Sequence, residues 1–125
     1  MLAASHESLC APWVLRPAAG RWPFYFGYEA DDRTNGWAFS PNNPFGAKLN
    51  ALYSSDIGHF DVIDMRDPLP EAYELVEDGM ISPDNFRDFT FANAVHLWGT
   101  QNPRFFEGTA VAKAAAEELA RATTR

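Results

Sequence analysis

A short apolar run, residues 51–55, ends abruptly in Asp56, and His59 follows three residues later. A run of this length that passes into small polar residues predicts a buried parallel β-strand. In parallel α/β architectures, catalytic groups gather at the carboxyl ends of strands, because the strand fixes the backbone while the next loop faces the substrate. The segment therefore indicates an α/β fold and makes Asp56 the leading candidate functional residue.

The remaining segments predict one more strand and three helices. Residues 21–28 are rich in aromatic side chains and predict a strand, although Pro23 favours a strand start or an edge. Residues 29–44 hold many turn formers and predict a long structured loop. Helices are predicted over residues 70–78, from Ser82 as N-cap to about Trp98, and from Thr109 as N-cap to about Ala122.

Composition excludes several classes of protein. Seventeen acidic and ten basic residues give a formal charge of -7 without a positive stripe, so nucleic acid and anionic membranes are not expected partners. Cys10 is the only cysteine, which excludes an internal disulfide and a thiolate metal cage. No stretch approaches the roughly 20 apolar residues of a membrane span. A cytoplasmic location is the expectation.

The predicted elements are too few for the apolar content. Hydrophobic residues make up 46% of the chain and aromatic residues 14%, yet only two strands are predicted. A sheet of two parallel strands is marginal, and exposed aromatic faces promote association. Residues 1–20 show weak periodicity and are predicted to be a poorly ordered leader. Residues 21–125 are predicted to be the end of a larger fold.

Several segments between residues 27 and 111 resemble, in order and spacing, the C-terminal part of amidohydrolase-related metal-dependent hydrolases. They are GYEADD at 27–32, WAF at 37–39, NPFG at 43–46, SSDIGHFDV at 54–62, LVEDG at 75–79, FTFAN at 89–93 and LWGTQNPRFF at 97–106. The resemblance implies a strand-and-helix fragment from the C-terminal end of a (β/α)8 TIM-like barrel.

The resemblance also implies a chemistry. In that superfamily an aspartate ends the last strand beside one or two divalent metals, zinc most often, and Asp56 occupies the matching position. Asp56 is thereby expected to bind metal or to take the proton from metal-bound water during hydrolysis of a small-molecule substrate; some relatives are decarboxylases. A metal lowers the pKa of bound water, and a nearby carboxylate can accept its proton. His59 is the second candidate catalytic residue, orienting substrate or an aspartate.

The chain departs from the family pattern in its histidines. His6, His59 and His96 form no His-x-His motif, and a complete barrel needs about 250 residues. The expectation is a catalytically incomplete fragment that need not bind metal alone and that docks on the missing barrel portion or associates with itself. Two alternatives stay open: a non-catalytic interaction module, and a self-contained metal site built from Asp56, His59, Asp61 and Asp64.

Each candidate residue also has a simpler interpretation. Asp56 can cap the turn after its strand, and His59 can be a solvated turn residue. Acidic side chains often only solvate a turn, and this applies to Asp61 and Asp64 as well as to three residues expected near the same pocket: Glu29, Asp31 and Asp32. His96 and the aromatic residues between Phe86 and Trp98 are expected to pack in the core, and Arg104 to form a surface ion pair.

Overall fold

A computed structural model of the protein describes residues 24–123, and these residues form a mixed α/β arrangement. Its elements are two parallel strands, β1 (Tyr25–Glu29) and β2 (Asn50–Ser54), and four α-helices. The α/β class is thereby confirmed, whereas a barrel is not visible in the described part of the chain. The predicted leader, residues 1–20, lies outside the described residues.

The two strands pair in register, with Phe26 opposite Ala51. Both begin and end within a few residues of the predicted positions, and residues 21–23 of the first predicted strand lie outside the described range. The Asn50 side chain donates a hydrogen bond to the Phe24 carbonyl at 2.9 Å, which fixes the start of the pair. Ala51 is fully buried, so β2 contributes directly to the core.

The connection from β1 to β2 is the predicted structured loop and contains two short 3-10 helices, Arg33–Phe39 and Pro44–Gly46. The first begins at Asp32, whose carboxylate accepts the Thr34 N–H at 2.8 Å. It buries Ala38 and Phe39. The first 3-10 helix thus packs against β2, whereas Pro44–Gly46 buries no residue.

Helix α1 (Pro68–Glu77) follows β2 and begins two residues earlier than predicted. Proline at the first helical position needs no hydrogen-bond partner, and its ring presets the helical φ angle. Ala72 and Leu75 form the buried face. The chain then turns at Gly79, whose φ of 69° suits glycine in a helix C-cap.

A continuous helical segment runs from residue 83 to residue 99 and supplies several of the buried core residues. It consists of α2 (Pro83–Arg87), a π-helical stretch (Asp88–Ala92) and α3 (Asn93–Gly99). The predicted cap is confirmed, because the Ser82 hydroxyl accepts the Asn85 N–H at 3.1 Å. Phe89 is fully buried and meets the ring of Tyr53 edge to face at 5.6 Å. The expectation that the aromatic residues between Phe86 and Trp98 pack in the core is only partly met, since 47% of Trp98 is exposed.

Helix α4 (Ala112–Thr123) packs on α3. The predicted cap at Thr109 is wrong: its hydroxyl donates to the Phe106 carbonyl at 2.7 Å and closes the preceding turn instead. The helix is held by Glu118, which is 8% exposed and pairs with Arg87 at 2.6 Å and His96 at 3.1 Å. None of the helices in the described part of the chain is long and apolar enough to cross a membrane.

Candidate functional site

The carboxyl ends of both strands open into one acidic cavity of about 250 Å³. Because β1 and β2 are parallel, the residues that follow them lie at the same edge of the sheet. Seven carboxylate side chains line this cavity: Glu29, Asp31, Asp56, Asp61, Asp64, Asp67 and Glu71. The position agrees with the predicted site, at the end of β2.

Asp56 has an unusual backbone at this edge. Its φ angle is 50°, in the left-handed region that aspartate tolerates better than most residues. The turn closes through the backbone, since the His59 N–H donates to the Asp56 carbonyl at 3.0 Å. The carboxylate of Asp56 caps no backbone N–H among the described residues and faces His59 instead. The simple capping interpretation of this side chain therefore does not hold.

His59 is placed between two carboxylates. Its Nδ1 lies 2.7 Å from Asp61 Oδ1 and 3.4 Å from Asp56 Oδ2. The hydrogen bond to Asp61 and the negative charge of Asp56 raise the pKa of His59 above its ordinary value. The same hydrogen bond lowers the pKa of Asp61. Neutral pH thus favours an ionised Asp61 beside a histidine that keeps its proton longer than usual.

The donor atoms of Asp56, His59 and Asp61 lie within 4.8 Å of one another. Two carboxylates and one imidazole suit a borderline divalent cation such as zinc or manganese. Zinc bonds of about 2.1 Å require the three groups to move slightly inward and the His59–Asp61 hydrogen bond to open. The residues present therefore fit a metal ion by type and place, after a small rearrangement.

Asp64 does not belong to this group, although the sequence suggested that it might. The guanidinium and the backbone N–H of Arg66 both donate to it, the latter at 2.9 Å. These hydrogen bonds lower the pKa of Asp64 and occupy its oxygens. Of the four residues considered for a self-contained site, Asp56, His59 and Asp61 lie close together, and Asp64 pairs with Arg66.

The other predicted residues divide clearly. Glu29 and Asp31 line the cavity as expected, whereas Asp32 caps the 3-10 helix. Arg104 forms an exposed ion pair with Glu107 at 2.9 Å, and His96 is buried against Glu118, both as the simpler interpretations predicted.

Asp67 and Glu71 also line the cavity, and sequence reasoning missed them. The available signal was their place at the start of α1, which directly follows the Asp-rich loop and is therefore brought back to the same edge of the sheet.

Comparisons with protein-family models, with curated proteins and with solved structures find no match for this chain. The resemblance to amidohydrolase-related enzymes therefore rests on the quoted sequence segments alone.

Proposed function

We propose that this chain is the C-terminal portion of an amidohydrolase-type metal-dependent hydrolase and supplies Asp56 to its metal centre. The observation that carries the proposal is the convergence of Asp56, His59 and Asp61 at the carboxyl end of a parallel strand. Catalytic groups of parallel α/β enzymes collect at this edge. The proposal includes the barrel as the complete fold and a cytoplasmic, small-molecule enzyme.

The chain's own residues have distinct roles in this proposal. The Asp56 carboxylate would bind the metal or accept a proton from the attacking water, and the backbone of Asp56 is left-handed, with a φ of 50°. His59 is held by Asp61 and can orient either the substrate or Asp56. The metal, zinc first, supplies a water with a lowered pKa. Asp61 is an additional ligand candidate that the family resemblance did not imply.

The proposal treats the chain as catalytically incomplete by itself. Catalytic zinc sites hold three protein ligands, commonly with two or three histidines, and the described residues offer one histidine here. The sheet of the described residues also has only two strands, far fewer than the eight of a complete barrel. The isolated chain is therefore expected to bind zinc weakly and to turn over no ester or amide.

Calorimetric titration with zinc tests the proposal. We expect one weak site per chain, weakened about tenfold or more in Asp56→Asn, which keeps a residue that tolerates the left-handed backbone. Asp31→Asn is the matched control, since Asp31 lines the cavity outside the ligand group. Absence of zinc binding would exclude a self-contained metal site made of Asp56, His59 and Asp61, and an unchanged affinity in Asp56→Asn would contradict Asp56 as a ligand. Hydrolysis by the isolated chain that is lost in Asp56→Asn would contradict the incomplete site.

A second candidate function, a self-associating module, is favoured by one observation. An apolar groove of about 460 Å³ lies beside β1, and no charged residue lines it. Its aromatic members are exposed by 63% (Phe24), 42% (Phe26) and 86% (Phe45). Because no charged residue lines the groove, two copies can meet there without bringing like charges into direct contact.

A further inference from the structure

The loop after β2 and the first turn of α1 display large apolar side chains that the proposed metal site does not use. Five of them lie between residues 57 and 69, each more than half exposed: Ile57, Phe60, Ile63, Met65 and Leu69. We call these five the apolar loop surface. Ile63 is 96% exposed and Phe60 88%, so neither contributes to the core. Such a concentration of exposed apolar side chains marks an interaction surface.

The charge next to this surface is strongly negative. Ile63 itself lines the acidic cavity, so the apolar loop surface adjoins the seven carboxylates. The nearby cations are already used: Arg66 pairs with Asp64, and His59 with Asp61. Glu29, Asp31, Asp67 and Glu71 form no ion pair within the described residues. A partner that covers this face must therefore bring positive charge.

We propose that the apolar loop surface and the acidic cavity together bind a cationic amphipathic segment of another polypeptide. Lysine or arginine side chains of that segment enter the cavity, and its apolar side chains pack on Phe60 and Ile63. Complementary charge steers such an encounter, while the exposed apolar anchors provide most of the affinity. A second copy of this chain does not fit, because it brings the same carboxylates to the interface.

The test uses a fluorescein-labelled amphipathic peptide of about 18 residues made of leucine and lysine, with leucine at helical spacing. Anisotropy is measured against the full chain in EDTA, so that no metal bridges the two. We expect micromolar binding, weakened about tenfold by the double variant Phe60→Ser with Ile63→Ser. Trp37→Ser is the control, since Trp37 is 70% exposed but lies on a different element, outside the cavity.

Two double variants at the start of α1 and along it test whether the cavity carboxylates contribute to binding of the cationic segment. Asp67→Asn with Glu71→Gln removes two cavity charges, whereas Glu74→Gln with Glu77→Gln removes two charges from the same segment outside the cavity. Only the first pair is expected to weaken binding, by about tenfold. Equal losses in both pairs, unchanged binding in the serine variants, or equal binding of a lysine and serine peptide would overturn the proposal. None of these results bears on zinc binding, because EDTA is present.

Discussion

At the scale of single residues, His59 and Asp56 lead to predictions about how the proposed metal site depends on pH and on the carboxylate of Asp56. His59 Nδ1 lies 2.7 Å from Asp61 Oδ1, and a protonated histidine cannot bind a metal ion. Asp56 adopts a left-handed backbone conformation, which is unfavourable for a residue other than glycine. Both features lead to measurable consequences.

Zinc affinity is expected to rise with pH across the titration of His59. The carboxylates raise the pKa of His59, so its proton competes with the metal up to a higher pH than at an ordinary histidine. In Asp61→Asn the principal cause of this shift is removed, and the pH midpoint of zinc binding is expected to move down. Calorimetric titrations at several pH values between about 5.5 and 8 measure both midpoints. An Asp61→Asn midpoint at or above that of the parent chain would contradict the assigned cause.

Substitutions at Asp56 are expected to separate stability from metal binding. Alanine is strained at a φ of 50°, and glycine is not, so Asp56→Gly should be about 1 kcal/mol more stable than Asp56→Ala. Neither variant has the carboxylate, and both should lose zinc affinity equally. Urea unfolding measures the first difference and zinc titration the second. Equal stability of the two variants would show that the left-handed backbone is not populated.

At the scale of elements, a buried charge cluster attaches α4 to the rest of the protein. Glu118 on α4 accepts hydrogen bonds from Arg87 and His96, and Leu119 packs directly over Gly99, where an added Cβ would lie 2.7 Å from its side chain. The helix has a thin apolar stripe, so these contacts carry much of its attachment.

The substitution Glu118→Gln is expected to lower the free energy of unfolding by about 2 kcal/mol, because Arg87 and His96 lose their charged acceptor. Burial by itself raises the pKa of Glu118, but the hydrogen bonds from Arg87 and His96 outweigh it and lower the pKa below its ordinary 4.5. The stabilisation is thus present above that value and is lost as the pH falls through the lowered pKa. Urea unfolding at neutral pH and below about pH 4 measures both effects.

The exposed neighbour provides the control. Glu117→Gln is expected to change the unfolding free energy by less than about 0.5 kcal/mol at either pH. If the free energies of unfolding of the parent chain and of Glu118→Gln differ by the same amount at neutral and at acidic pH, the charge of Glu118 is not the cause of the stabilisation.

The elements also show what the sequence can and cannot predict. Local chemistry was enough for the helix start at Ser82 and for the place of Asp56 after β2, because each depends on neighbouring residues. Thr109 failed as a cap because the helix begins only at Ala112, and the Thr109 hydroxyl donates to the Phe106 carbonyl in the preceding turn. Contacts between distant residues, such as Arg87 with Glu118, leave no local signal. For Asp64 the sequence left open a metal ligand or a solvated turn residue, and it did not predict the ion pair with Arg66.

At the scale of the whole molecule, two faces differ in charge and therefore in the partners they admit. The acidic cavity and the apolar loop surface suit a cationic partner, whereas the groove beside β1 is lined without charge. Phe45 is held outward in a left-handed backbone, with a φ of 61°, by a loop that the Asn43 side chain braces through the Trp37 and Ala47 carbonyls. An exposed phenylalanine kept in a strained conformation favours a binding role.

Self-association through this groove predicts a specific sedimentation result. At about 100 μM the parent chain should sediment faster than a 14.0 kDa monomer, and Phe26→Ser with Phe45→Ser should restore the monomer. Phe60→Ser with Ile63→Ser also removes two exposed apolar side chains, but from the acidic face, and should leave the association unchanged, since repulsion keeps that face from pairing with itself. A chain that is monomeric over the whole concentration range would remove the support for the self-associating module. If the variant of Phe60 and Ile63 loses the association, the interface lies on the acidic face. Two acidic faces can pair only where salt screens their charges.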